Sequence, residues 1–176
     1  MYRNNFRAFV VVVLALLAAA AQGLPEDAKE EITILSDSAE LDRKSGIYIY
    51  KGNVVLTQGT LRIESDRLMI IRSGNVLEKA VAEGNPARFQ QQISIDQGLT
   101  HAQGDRIDYF AVRKKVHITG DGRMQQEGNE FNGETIIYDI ANKTVRAKST
   151  QADDVGAEVD PQQRIKVVIQ PEKEQP

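Results

Sequence analysis

Between Lys51 and Ile71 apolar residues recur every second position: Val54 and Leu56, then Leu61 and Ile63, then Leu68 and Ile70. A period of two with β-branched residues and glycine punctuation is a strand pattern. Gln58-Gly59-Thr60 predicts a turn, and Ser65-Asp66 predicts a break in the run. No window of useful length carries the 3.6-residue period of an amphipathic helix. The chain is therefore constrained to an all-β fold, with no helix of note beyond its first residues.

The same unit occurs twice. A small residue, an acid and an apolar residue two places on appear at Ser36-Asp37, Ser65-Asp66, Gly104-Asp105 and Gly133-Glu134. Gly52 follows Asp37 at the spacing by which Gly120 follows Asp105. Residues 36–80 and 104–148 thus read as two copies displaced by 68, with apolar positions mapped onto apolar positions. A weaker echo of the Gly52 turn lies between them at Gly84-Asn85-Pro86-Ala87-Arg88-Phe89. Turn signals spaced this closely suit a sandwich, barrel or jelly roll. Runs such as Leu68-Met69-Ile70-Ile71, apolar on both faces, favour a roll with an apolar interior.

The remaining turns are expected at Lys44-Ser45-Gly46, Ser73-Gly74-Asn75, Asp96-Gln97-Gly98, Gly120-Asp121-Gly122 and Ala141-Asn142-Lys143. Ile93 and Ile95 read as a short strand, and Met124 to Glu127 as another. Pro25 to Glu31 reads as a flexible leader. Residues 150–163 read as a polar loop, 164–170 as a last strand and 171–176 as a disordered tail.

The first 23 residues have a secretory signal pattern. Arg3 and Arg7 precede an apolar run from Ala8 to Ala21 that ends in small residues. The run is shorter than the roughly 20 residues of a spanning helix. There is no cysteine, which removes disulfides, thiol chemistry and lipoprotein attachment. The formal charge is −3, and no basic cluster points to nucleic acid. Beyond the signal, the expected domain spans 24–149.

Catalytic chemistry is not indicated. His101 and His117 are the only histidines, and neither has a partner at metal-ligand spacing. The repeated acids Asp37, Asp66, Asp105 and Glu134 are dispersed by the repeat and do not converge as a general acid–base pair would. They are expected to bond turn amides. Gly120-Asp121-Gly122 precedes no helix, so it reads as a hairpin turn and not a phosphate loop. No catalytic residue, metal ligand or cofactor is expected.

The stretch GNVVLTQGTLRIESDRLMIIR, with Ser36-Asp37 and Leu41-Asp42 before it, resembles the OstA-like (LptA) family of periplasmic lipopolysaccharide-transport proteins. The similarity continues through Gly84 to Phe89, His101-Ala102, Tyr109, Thr119-Gly120 and Gly133 to Tyr138, covering about 32–149 and, loosely, 164–170. The polar segment 150–163 is longer than the family pattern. The resemblance implies a twisted, open-ended antiparallel β-jelly roll in the periplasm that stacks head to tail between the two membranes. It also implies an apolar groove for the acyl chains of lipid A. The implied partners are lipopolysaccharide, an inner-membrane-anchored LptC-type protein, an outer-membrane LptD-type translocon and further copies of the chain. A carrier of other lipids and a purely structural β-module are the alternative readings.

One apolar stripe per strand is expected to line that groove: Ile32, Ile34, Leu41, Val54, Leu56, Leu61, Ile63, Leu68, Phe89, Ile107, Tyr109, Val116, Ile118, Phe131, Ile136 and Tyr138. The docking edges are expected at Ile32, Thr33, Ile34 and Leu35, and at Ile165, Val167, Val168 and Ile169. An unpaired strand edge is normally a liability for association; here it would serve assembly by strand addition.

Overall fold

The structure, a computed structural model, describes residues 27–94, 97–149 and 165–170. The expected signal peptide, the loop 150–163 and the tail 171–176 lie outside the described residues.

Ten strands form one antiparallel sheet. The long ones are β3 (Ile47–Gln58), β4 (Leu61–Ser73), β5 (Val76–Gln92), β6 (Leu99–Phe110), β7 (Lys115–Gln126) and β8 (Asn129–Asp139), paired in chain order. Two short strands, β1 (Thr33–Leu35) and β2 (Ser38–Asp42), both pair with β3. Two more, β9 (Thr144–Lys148) and β10 (Lys166–Val168), both pair with β8. The sheet is an open β-jelly roll, as the alternation and the turn spacing require.

Each long pairing carries a register shift near its middle, after Lys51, Glu64, Glu83, Gln103 and Thr119, and the β4–β5 pairing has a second near its end, after Ile71. The Ser65-Asp66 break and the Gly120-Asp121-Gly122 turn are therefore β-bulges inside continuous strands. Met124 belongs to the same strand as Val116. A bulge adds one unpaired residue, bends the strand and increases its twist. The bulges line up across the sheet, and the sheet folds along that line. One half carries Tyr48, Tyr109 and Tyr138, the other Phe89 and Phe131. They meet across the interior, where the Phe89 and Tyr109 rings lie 5.8 Å apart.

The duplication is written in the backbone. Left-handed φ values occur at Gly46 (73°), Gly52 (80°), Asn53 (46°) and Gly59 (58°). They recur 68 residues later at Lys114 (51°), Gly120 (77°), Asp121 (45°) and Glu127 (52°). The Arg72 amide donates to the Gly46 carbonyl at 2.9 Å, and the Ile140 amide donates to the Lys114 carbonyl at 2.9 Å. Glycine supplies such conformations at no steric cost, which is why Gly52 and Gly120 mark the bulge in each copy. Two of the repeated acids sit beside these glycines. A Cβ on Gly52 or Gly120 would lie 2.2 Å from an Asp37 oxygen or 2.4 Å from an Asp105 oxygen. Asp37 and Asp105 thus pack on the bulge of the next strand, and Asp37 accepts from the Asn53 side chain at 3.0 Å, in place of the expected bond to a turn amide.

Two further expectations change. Asp27–Lys29 is a short 3-10 turn with Asp27 buried, so the leader is docked there. Ile93 is buried just beyond the end of β5 and belongs to no strand, while Ile95 lies outside the described residues.

Candidate functional site

Register places the inward side chains in rows that cross the sheet. In the phenylalanine half one row runs Ile34, Leu56, Ile63, Phe89, Ala102, Met124, Phe131, Val167. In the tyrosine half a second runs Leu41, Tyr48, Ile70, Ala80, Tyr109, Val116, Tyr138, Val145. A third runs Ala39, Tyr50, Leu68, Ala82, Ile107, Ile118, Ile136, Ala147. All three are apolar from one edge strand to the other. This follows from the period of two, because facing residues in an antiparallel pair share a face.

Of the expected groove residues, Val54, Leu56, Leu61, Ile63, Leu68, Phe89, Ile107, Tyr109, Val116, Ile118, Ile136 and Tyr138 are buried in one cluster. Ile32, Ile34 and Phe131 pack against its margin. Leu41 departs from the expectation: it stands in an inward row but is 50% exposed, because β2 is an edge strand and no neighbour covers it.

Among the described residues the three inward rows carry no charged side chain, and the one buried carboxylate, Asp27, lies at the rim. Burial pushes the Tyr109 and Tyr138 phenols above their usual range, opposed by hydrogen bonds with Gln91 and Gln126. The charges lie on the outer face. There Arg106 bonds Glu83 at 2.6 Å and Asp108 at 3.1 Å, and Lys79 meets Asp108 at 2.9 Å. Such partly exposed pairs add about 0–1 kcal/mol each.

Opposite the bulge line the two halves do not close. A cavity of about 510 Å³ runs along this slit. Leu77, Ala111, Val112 and Ile140 line it from the tyrosine half, with Ile32 and Ile93 on the other side. Of the sixteen expected groove residues only Ile32 and Tyr109 border it; Leu41 is exposed, and the rest belong to the buried cluster or its margin. The rim residues were missed because they flank turns, where alternation is short, and only the folding of the sheet brings the turns together. Asp27 staples one rim. Its carboxylate accepts from the Thr60 amide at 2.7 Å, the Thr60 hydroxyl at 2.6 Å and the Gln91 amide at 3.0 Å.

β1 and β10 stand at the two ends of the strand order. Within β1, Ile34 faces inward and Thr33 and Leu35 outward; Ile32 precedes the strand. Val167, opposite Phe131, stands in the inward row of β10 but is 48% exposed, Val168 is half-buried, and Ile165 and Ile169 are exposed on either side of the strand. The five-residue strands β2 and β9 extend these edges and were not foreseen as such. Among the described residues, no strand pairs with the outer sides of β1, β2, β9 or β10. No group of three or more potential metal ligands occurs among the described residues. No helix among them is long and apolar enough to cross a membrane.

Comparison with known proteins agrees with this geometry. The family described as "LptA/(LptD N-terminal domain) LPS transport protein" matches residues 33–144. The chain is 36% identical over 160 residues to the lipopolysaccharide export system protein LptH of Pseudomonas aeruginosa, covering 90% of each. It is 30% identical over 151 residues to LptA of Escherichia coli K12, covering 83% of this chain and 80% of that one. The crystal structure of LptH, described as the LptA homologous periplasmic component of the lipopolysaccharide transport device, superimposes with a TM-score of 0.71. That match has 35% identity and covers 84% of this chain and all of that one.

Proposed function

Because the chain belongs to the LptA/LptD N-terminal family of lipopolysaccharide-transport proteins, we propose that it is a periplasmic bridge, not an enzyme, that carries lipopolysaccharide between the two membranes. Acyl chains lie between the half-sheets along the slit, and the sugars stay in water. The observation that carries this reading is the three inward rows, each apolar across the whole sheet and each ending at an unpaired edge. An acyl chain of a dozen methylenes exposed to water costs about 10 kcal/mol, so a path open to water at any point would halt transfer.

The same rows support head-to-tail stacking. If β9 of one copy pairs with β2 of the next, Val145 meets Leu41 and Ala147 meets Ala39, and both rows continue. Pairing β10 with β1 sets Val167 against Ile34. In this register Arg146 faces Glu40, a favourable pair on the outer face. The contact is heterologous and does not close, so it produces a filament. The β1/β2 edge is the one that docks the inner-membrane LptC-type protein, and the β9/β10 edge docks the outer-membrane LptD-type translocon.

A photo-crosslinking side chain at Phe89 or Tyr109 is expected to capture lipopolysaccharide, and one at Arg62 or Glu64, on the outer face, is not. Equal capture at both sets would refute the face assignment, and none at the first in a folded protein would show the interior to be a dry structural core.

A further inference from the structure

We infer that Lys114 and Lys143 form a phosphate-binding rim on the slit, which holds the phosphorylated sugar of a multiply acylated lipid while its chains lie inside. This rests on the transport reading above and deepens it.

Both lysines border the 510 Å³ cavity. They stand on neighbouring turns of the tyrosine half, Lys114 between β6 and β7 and Lys143 between β8 and β9. The Ile140 amide, bonded to the Lys114 carbonyl at 2.9 Å, ties the turns together. Both residues have left-handed φ, 51° and 52°. A long side chain pays a steric penalty there that glycine does not. The first copy of the repeat has glycine at the position equivalent to Lys114, namely Gly46 (73°). The fold therefore has an unstrained solution, and this copy does not use it. A strained residue at a cavity mouth is a pointer to function.

Two neighbouring carboxylates are already engaged. Asp139, the nearest carboxylate in the chain to the second turn, accepts from Lys115 at 3.0 Å and from the Asn142 amide at 3.0 Å. Asp27 on the opposite rim is taken by Thr60 and Gln91. Among the described residues neither Lys114 nor Lys143 has an ion-pair partner. Beside them Val112 is 66% exposed and Val76 56% exposed. Two free ammonium groups next to bare apolar rims complement an amphipath with anionic groups at the base of its acyl chains. Lysine suits phosphate as a mobile point charge.

The test uses the full chain and its Lys114→Gly, Lys143→Gly double variant. Glycine removes charge and strain together, so the variant is expected to melt no lower than the wild type. Three probes are titrated: lipopolysaccharide, lipopolysaccharide stripped of phosphate with hydrofluoric acid, and the uncharged apolar dye N-phenylnaphthylamine. The wild type is expected to prefer the phosphorylated lipid about tenfold, by an amount that falls with salt. The variant is expected to lose that preference, keep dye binding, and recover the preference when both positions are arginine. Equal preference in wild type and variant overturns the lysine assignment alone. Loss of dye binding along with the lipid also overturns it, since the lysines would then shape the apolar seat. A wild type that binds the dye but neither lipid overturns the transport reading, and this inference with it.

Discussion

The Gln126 side-chain amide donates to the Tyr138 hydroxyl at 3.1 Å, across the interior from one half of the sheet to the other. The two residues are twelve apart in sequence, on adjacent strands, but on opposite sides of the bulge line. Their bond exists only because the sheet is folded. With the Phe89 and Tyr109 rings it is one of few ties that span the space an acyl chain would occupy.

Tyr138→Phe removes that tie and leaves the volume unchanged. Gln126 is half-exposed, so water replaces part of the bond, and a loss of about 1 kcal/mol is expected. Chemical denaturation measures it. The same variant is expected to take up an apolar dye faster, since the halves are less firmly joined; unchanged uptake would place the lipid path elsewhere.

Gly120→Ala is expected to destabilise by more than the roughly 1–2 kcal/mol of the left-handed backbone alone. Its Cβ would also meet the Asp105 carboxylate at 2.4 Å. Gly74→Ala is the control, with φ of 58° and nothing within 4 Å of the added carbon. Asp105→Ala in the Gly120→Ala background is expected to restore part of the loss. The coupling in a double-mutant cycle reads the contact directly, and strict additivity would mean that the acid does not seat on the bulge.

The stacking register can be fixed covalently, because the chain has no cysteine of its own. With Ala39→Cys and Ala147→Cys together, mild oxidation is expected to give a ladder of multimers extending past the dimer. Ala39→Cys with Val145→Cys sets the sulfurs on diagonal neighbours, about 7–8 Å apart at Cα, and is expected to cross-link far more slowly. A ladder that stops at the dimer would mean a closed, isologous contact.

Acid stability is expected to depend on Asp139. The Lys115 hydrogen bond, followed by those from Asn142, lowers its pKa to about 2 from the model-peptide 3.8. A depressed carboxylate contributes stability above its unfolded pKa and loses it as pH falls through the folded one. The stability difference between wild type and Asp139→Asn is therefore expected to be constant above about pH 4.5 and to vanish towards about pH 2. Urea midpoints across that range check it; a difference that persists at the acid end would point to packing and not charge.

Much of this protein was legible in its sequence. The period of two at Val54–Leu56, Leu61–Ile63 and Ile136–Tyr138 determined which side chains face inward, because strand geometry sends alternate residues to opposite faces. The displacement by 68 determined that two like units were joined, and it reappears in the paired φ values. Other features depended on long-range pairing. Gly120-Asp121 is locally the same signal in a hairpin turn and in a bulge; only the continued pairing of β7 with β8 on both sides decides. Met69 and Ile71 make their run apolar on both faces, yet one folded sheet buries only its concave face, and they remain half-exposed outside. Leu41 has an inward register but no neighbour strand. Asp27 had no local pattern at all, since its partners Thr60 and Gln91 lie 33 and 64 residues away. Alternation is a property of each strand alone, whereas the bend at the bulges, the slit opposite it and the open edges arise only when all the strands are laid side by side.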